Sequence, residues 1–352
     1  MSNTAWKTDN YKFVGKAFDY AYANRLNKLL AILGVASANS IDYELTGSGG
    51  YGEMPAYDGD NLNEGVKKRG FKTIITPEEF SLSESVGFKQ AKIDKSGECS
   101  RVGKMLGNSA AMTVYMHALR MFANAFDGTH PGGDGKPWAA VDHPAASKGS
   151  SGRTFVVDED SGTYSNLITE ELSVSAITAA QSMAGRFTTP DGLPLLAEMN
   201  LLLVSPELEA EARKICGENG KFRPTNNPDD ASNAANPVAD LQYMVVGGGN
   251  DGFSAKQWAI CDPALMRETT KLVYVTKPTV MQTALDNPLK DLYTGYVDFG
   301  CGWGDARQII FSNPAEGGEP PSAGGECGEV PRLPAGRGLQ RLSLEGKLSR
   351  EA

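Results

Sequence analysis

The sequence predicts an α+β fold, and three observations predict it. Residues 102–126 carry apolar side chains at helical spacing. Residues 71–86 alternate in the two-residue rhythm of strands. Residues 242–311 return to short strand-like segments after a helical block.

A chain of 352 residues fits one large domain or two to three intimate ones. The net charge of -9 argues against a dedicated nucleic-acid binder, which usually shows a basic face. No apolar run approaches the roughly 18 residues of a membrane span. The opening MSNTAWKTDNYKFVGK lacks the apolar core of a secretory signal. Cys99, Cys216, Cys261, Cys301 and Cys327 are scattered without a CxxC pair, so reduced thiols and synthesis inside the cell are expected.

Each element has its own signal. Val14, Phe18, Tyr22, Leu26, Leu29, Leu30 and Leu33 form one face of a helix over 13–33, with Gly34 as its stop. Residues 46–70 are glycine-rich and aperiodic, a loop too long to be incidental. Two alternating strands follow: Phe71, Thr73 and Ile75, then Phe80, Leu82 and Val86. Pro77 between them suggests a β-hairpin, which needs a surface to lie on. Met112, Tyr115, Leu119, Phe122 and Phe126 make the seam of a long helix over 102–126, weakened by Gly103 and Gly107. A Met and aromatic stripe at this spacing reads as core, not as a cofactor box.

Residues 170–185 predict a further helix. NLLLVSP predicts a strand leading into helix PELEAEARKIC, with Ser205 as its cap. Residues 217–240 are polar loop. LQYMVV, KQWAIC, KLVYVT, PTVMQTA, YTGYVDFGC and DARQIIF predict strands, the last two split by a turn at Gly302-Trp303-Gly304. From Ser312 onward the chain is rich in Pro, Gly and charge, the composition of a disordered tail over 313–352.

Chemistry is scarce. The stretch FDGTHPGGDGKPWAAVDHP holds His130 and His143 with Asp127, Asp134 and Asp142. A metal-dependent hydrolase using His130 and His143 is one alternative. However, a zinc site wants ligands on rigid elements, and Gly and Pro punctuate this segment throughout. A turn-rich connector, its aspartates bonded to their own backbone, is the better reading. GGGNDG at 247–252 matches GxGxxG after a strand but precedes another strand, so no helix N-terminus awaits a phosphate and a hairpin turn is expected. Three histidines in unsuggestive settings build no triad. No catalytic residue, cofactor or metal is assigned.

Several segments, in order, resemble the major head proteins of tailed bacteriophages, in particular the Mu-type head subunit. They are FKTIITPEEFSLSESV, FANAFDGTHPGGDGKPWAAVDHP, SGTYSNL, LLVSPELEAEARKI, KQWAICDP and YTGYVDFGCGWGDAR. The likeness covers about residues 40 to 312. Trp138 departs from it, standing where a smaller aliphatic is expected, and the tail matches nothing in the pattern.

The resemblance implies the HK97-like capsid fold. Its parts would be an N-terminal arm and helix over 1–45, an extended loop over 46–86 and a peripheral domain over 87–195 with spine helix 102–126. An axial domain over 196–275, returning strands over 276–312 and the tail would complete it. It implies a non-enzymatic homo-oligomer, hexamers and pentamers in an icosahedral shell, with packaged DNA held non-specifically. Scaffold and portal proteins are further expected partners. The place of action would be the virion, assembled in the bacterial host cytoplasm, with no membrane partner. Lys67, Lys68, Phe71, Ile75, Phe80 and Leu82 are the expected inter-subunit contacts. Lys67, Lys68 and Lys72 lie in a loop that forms isopeptide cross-links in some proteins of this fold, but no motif fixes a partner here. A virion accessory or decoration protein is the remaining alternative.

Overall fold

The computed structural model describes residues 5–25, 28–48, 54, 56–57, 59, 69–87, 89, 97–145, 162–189, 193–216, 237–238, 240–248, 251–284 and 290–314. The expected disordered tail, most of the 46–70 loop and most of the 217–240 loop lie outside the described residues.

The chain opens with α1 (Ala5–Arg25) and a 3₁₀ turn, Lys28–Ile32. The helix expected over 13–33 is therefore two pieces. Gly34 does not stop it but begins β1 (Gly34–Ser37), where its backbone lies against the Arg267 carbonyl with no room for a Cβ. There follow β2 (Tyr43–Ser48), β3 (Arg69–Ile75) and β4 (Glu78–Gly87). The long helix α2 spans Glu98–Ala123 and ends in a 3₁₀ turn, Asn124–Phe126.

The expected β-hairpin around Pro77 does not form. β3 pairs antiparallel with β2, Tyr43 facing Ile75 and Ser48 facing Arg69. β4 instead lies along a strand from the far end of the chain, Phe80 facing Val297. β2 and β3 thus form a ladder of 43–48 and 69–75, and Thr76-Pro77 is the corner where the chain changes sheets. Local alternation cannot reveal this, because it fixes a strand's faces and not its partner.

The middle of the chain holds β5 (His143–Pro144), β6 (Thr163–Tyr164), β7 (Leu167–Ile168), α3 (Val174–Ala184) and β8 (Leu201–Val204). The Ser173 hydroxyl caps α3, accepting from the Ala176 amide at 3.1 Å. The helix after β8 begins as a 3₁₀ turn, Pro206–Leu208, and continues as α4 (Glu209–Cys216). Ser205 does not cap it through its side chain. Its hydroxyl donates to the Ala255 carbonyl at 2.9 Å.

Then come β9 (Gln242–Val245), β10 (Gly247–Gly248), β11 (Asp251–Gly252), β12 (Trp258–Cys261), α5 (Pro263–Thr269), β13 (Thr270–Ala284), β14 (Lys290–Trp303) and β15 (Ile309–Ser312). GGGNDG is the hairpin turn expected, with Gly248 paired to Asp251. KLVYVT and PTVMQTA are one strand, β13, whose register slips between Tyr274 and Thr279 around Lys277-Pro278, where proline has no amide to donate. Gly302 and Trp303 finish β14 and do not form the turn.

Two main sheets result. The first has the order β1-β13-β14-β4, and the second β7-β15-β12-β8-β9. Residues 275 and 276 both lie within β13, and β15 joins the second sheet by pairing with β12. α2 seals one core between both sheets: Val114, Ala118, Leu119 and Phe122 meet Leu203 and Phe311 on one side and Leu272 and Phe299 on the other. The opposite face of the second sheet, Leu202, Val204, Ile260 and Ile310, is covered by α3 and α4 through Ala176, Ile177, Ala212 and Ile215. Both faces of β8 are therefore buried, which is why it reads LLLV without alternation.

Leu119 and Phe122 of the expected seam of α2 are buried, and Tyr115 and Phe126 pack against the same core, whereas Met112 is exposed. The buried face also extends back through Cys99, Val102, Gly103, Leu106, Gly107, Ala110, Val114 and Ala118. Gly103 and Gly107 are where α1 crosses. A Cβ at either would run into the carbonyl oxygen of Val14 or of Phe18.

Candidate functional site

The root of the β2–β3 ladder, the segment expected to be the extended loop, is built by β3, the Thr76-Pro77 corner, β4 and β14. Phe71 and Thr73 are half-buried and Ile75 is fully buried, all on one face, while Lys72 and Ile74 point outward. Ile75 occupies a slot left by two glycines of β14. A Cβ at Gly300 would lie 2.9 Å from its side chain and one at Gly302 2.7 Å. Lys72 pairs with Glu44 across the β2–β3 ladder. The Thr76 hydroxyl donates to Asp42 at 2.8 Å, tying the corner to the turn before β2. The Phe80 ring lies 5.2 Å from that of Phe299 and 4.7 Å from the His117 imidazole. Burial, aided by the Arg120 charge, holds the His117 pKa below its ordinary value. Leu82 is 53% exposed. Of the six expected contact residues, Ile75 and Phe80 are seated within their own chain, Phe71 is half-covered and Leu82 is open. Lys67 and Lys68 lie outside the described residues.

The His130/His143 segment turns out to support this root. Gly132 lies flat against the Trp303 indole. The Gly133 amide donates to the Thr73 hydroxyl at 3.0 Å. A Cβ at Gly133 would sit 2.6 Å from the Lys72 carbonyl oxygen, so only glycine lets this backbone approach β3. As expected, the aspartates bond their own backbone: Asp127 accepts from the Thr129 amide at 2.9 Å and Asp134 from the Lys136 amide at 3.1 Å.

The two histidines have different surroundings. His130 is exposed and shares Asp127 with Thr129. His143 is fully buried. Its Nδ1 lies 2.6 Å from Asp134 Oδ2, and its Nε2 lies 3.2 Å from Asn166 Oδ1 and 3.3 Å from the Trp138 carbonyl. Asn166, which no sequence signal singled out, is the hub. Its side-chain nitrogen donates to the carbonyls of Trp138 and Ala306, and its oxygen accepts from the Ala140 amide. Trp138, the departure from the family pattern, is buried and stacked on Trp303 with centroids 5.8 Å apart.

These contacts all hold polypeptide segments to one another. Among the described residues no group of three or more His, Cys, Asp or Glu could hold a metal ion. Burial pushes the Cys216 thiol up to about 11 and Cys301 up to about 12, and raises Cys261 further, so none is a thiolate at neutral pH. Among the described residues no helix is long and apolar enough to cross a membrane.

Comparison with known proteins agrees with this reading. A family model described as phage capsid protein matches residues 67–311. The fold is similar to the procapsid protein of bacteriophage JBD30, with a TM-score of 0.50 and 12% identity over 89% of this chain and 76% of that one. The capsid of Ralstonia phage GP4 gives a TM-score of 0.48 at 12% identity, covering 84% of this chain and 90% of that one. The capsid of cyanophage P-SCSP1u gives 0.46 at 12% identity, covering 81% and 86%. No curated protein matches. Nothing in the geometry or in these comparisons supports the metal-dependent hydrolase. The family match runs from just before β3 into β15, through α2 and both sheets, and the chain belongs to the phage capsid protein family.

Proposed function

We propose that this chain is the major head subunit of a tailed phage or prophage, and that its activity is self-assembly. Copies join as hexamers and pentamers in an icosahedral shell around packaged DNA. Assembly takes place in the bacterial cytoplasm, and the product is the virion head. The observation that carries this is the family match across 67–311. In these terms α2 is the spine of a peripheral domain with the first sheet, and the second sheet with α3 and α4 is the axial domain. Scaffold and portal proteins are the further partners of such a subunit.

The loop root supports the reading. Ile41, Ile74 and Leu82 are 84%, 56% and 53% exposed, apolar surface that a neighbouring copy would cover. Ile75 and Phe80 hold the root in its own subunit, while Leu82 is open to the next copy, and Lys67 and Lys68 are further expected contacts with it. The negative balance of the chain suits a shell that contains DNA without gripping its phosphates.

Rate-zonal sedimentation of the purified full-length chain tests this. Fast-sedimenting rings or particles are expected, alone or with a co-expressed scaffold. A chain that stays monomeric under both conditions, or that binds preformed shells without self-assembly, would overturn it and leave a decoration protein.

A further inference from the structure

One ionisable side chain in the described structure is buried without a counter-charge at the surface that the proposed assembly would use. Asp298 of β14 stands directly opposite Glu79 of β4 in the ladder. It is 9% exposed, and among the described residues no hydrogen bond or ion pair reaches its carboxylate. Glu79 accepts a hydrogen bond from Tyr296 and has no cation beside it among the described residues. Like charges directly opposite in a sheet are destabilising, and burial together with the Glu79 charge raises the Asp298 pKa. Both carboxylates line a cleft of about 360 Å³. Its walls are Asn39, Ser40 and Ile41 on one side and the Pro77 corner on the other. The pair therefore destabilises the lone subunit and faces an open cleft.

We propose that this cleft accepts a cationic side chain from the Lys67-Lys68-Arg69 run of a second copy. This rests on the head-subunit reading and adds to it where the loop of one copy docks on the next. The run is the only place in the sequence with three consecutive cations. Arg69, the described end of the run, cannot serve its own cleft. β3 is extended from Arg69, paired with Ser48, to Ile75, paired with Tyr43. Six residues at about 3.3 Å each put Arg69 roughly 20 Å from Ile75, next to the Pro77 corner, beyond the reach of any side chain. A loop whose sequence offers charge and a cleft at its root that needs charge make a head-to-tail contact, the kind that closes into a ring where the rotation between copies allows it. Asn39 and Ser40 supply polar oxygens to share the incoming donor hydrogens.

Charge reversal tests the contact in the full-length chain. The double variant Lys67→Glu/Lys68→Glu and the single variant Glu79→Lys should each raise the concentration for half-assembly about tenfold or more, the effect of one partly desolvated charge pair. Combining all three changes should bring it back to within about threefold of the parent. Asp298→Asn should move two readouts in opposite directions, raising the thermal midpoint of the unassembled subunit while weakening assembly. Reversals that leave assembly unchanged, or whose combination fails to restore it, would overturn the contact. So would calcium or magnesium chloride lowering the threshold of the parent but not of Glu79→Lys, since the cleft would then hold a metal ion. Failure of the parent chain to assemble at all would remove the head-subunit reading itself, a distinct result.

Discussion

Gly103 of α2 lies directly beneath the carbonyl oxygen of Val14 in α1, with no space for a Cβ between them. Gly107 repeats the arrangement one turn on, beneath Phe18. The two glycines that lower the intrinsic helicity of α2 are what let α1 dock on it, so tertiary packing outweighs a propensity cost of roughly 1 kcal/mol each. Gly103→Ala and Gly107→Ala should each destabilise the unassembled subunit by about 1–3 kcal/mol in urea unfolding, through overpacking. Gly128→Ala is the control. Nothing lies within 4 Å of its Cβ position, and the change should stay within about 0.5 kcal/mol.

The histidines should separate sharply. His143→Ala removes the partner of the buried Asp134 carboxylate and the ring contact with Asn166, and should cost about 3–5 kcal/mol of folding stability. His130→Ala, on an exposed side chain, should fall within about 0.5 kcal/mol. Denaturant unfolding of the two variants decides it. Equal effects would contradict the separate roles given to the two residues.

The loop root should divide into folding and assembly positions. Ile75→Ala empties the slot over Gly300 and Gly302 and should lower subunit stability by about 2–5 kcal/mol. Leu82→Ala should leave the unfolding midpoint nearly unchanged and reduce the sedimenting fraction. Sedimentation and unfolding on the same preparations check both.

Asp298 sets a pH dependence. Its folded pKa is raised, first by burial and then by Glu79, so the folded state binds the proton more tightly than the unfolded chain does. Its charge therefore costs stability at neutral pH, and that cost is relieved as pH falls through the folded value. Asp298→Asn should raise the neutral-pH midpoint of the unassembled subunit, by about 0.2–1 kcal/mol on the scale of cross-strand charge pairs. It should also flatten the acid side of the stability curve relative to the parent. A parent and variant with parallel curves would contradict the assignment.

How much of this was legible depends on how local each signal is. The apolar periods placed α2 and most of the strands, and the glycine run at 247–252 declared its own hairpin turn. The C-terminal half of the α2 seam is legible in Leu119 and Phe122, but its N-terminal half is not, because its partner is a helix about 90 residues upstream that needs glycine there. Alternation alone does not show that β4 pairs with β14 and not with β3, because it is symmetric between partners and β14 lies more than 200 residues away. Asn166 carried no signal, since one asparagine in a polar segment looks like any other until its four hydrogen bonds are seen. Asp298 and Glu79 were equally silent, because their opposition exists only in the ladder.

Negative-stain electron microscopy of the purified full-length chain, over a concentration series and with scaffold co-expressed where assembly requires it, tests the central claim most directly. The account predicts rings of five and six subunits or closed icosahedral particles that disappear when residues 50–68 are replaced by a short flexible linker. Monodisperse single subunits throughout, or particles that form equally well without that segment, would contradict it.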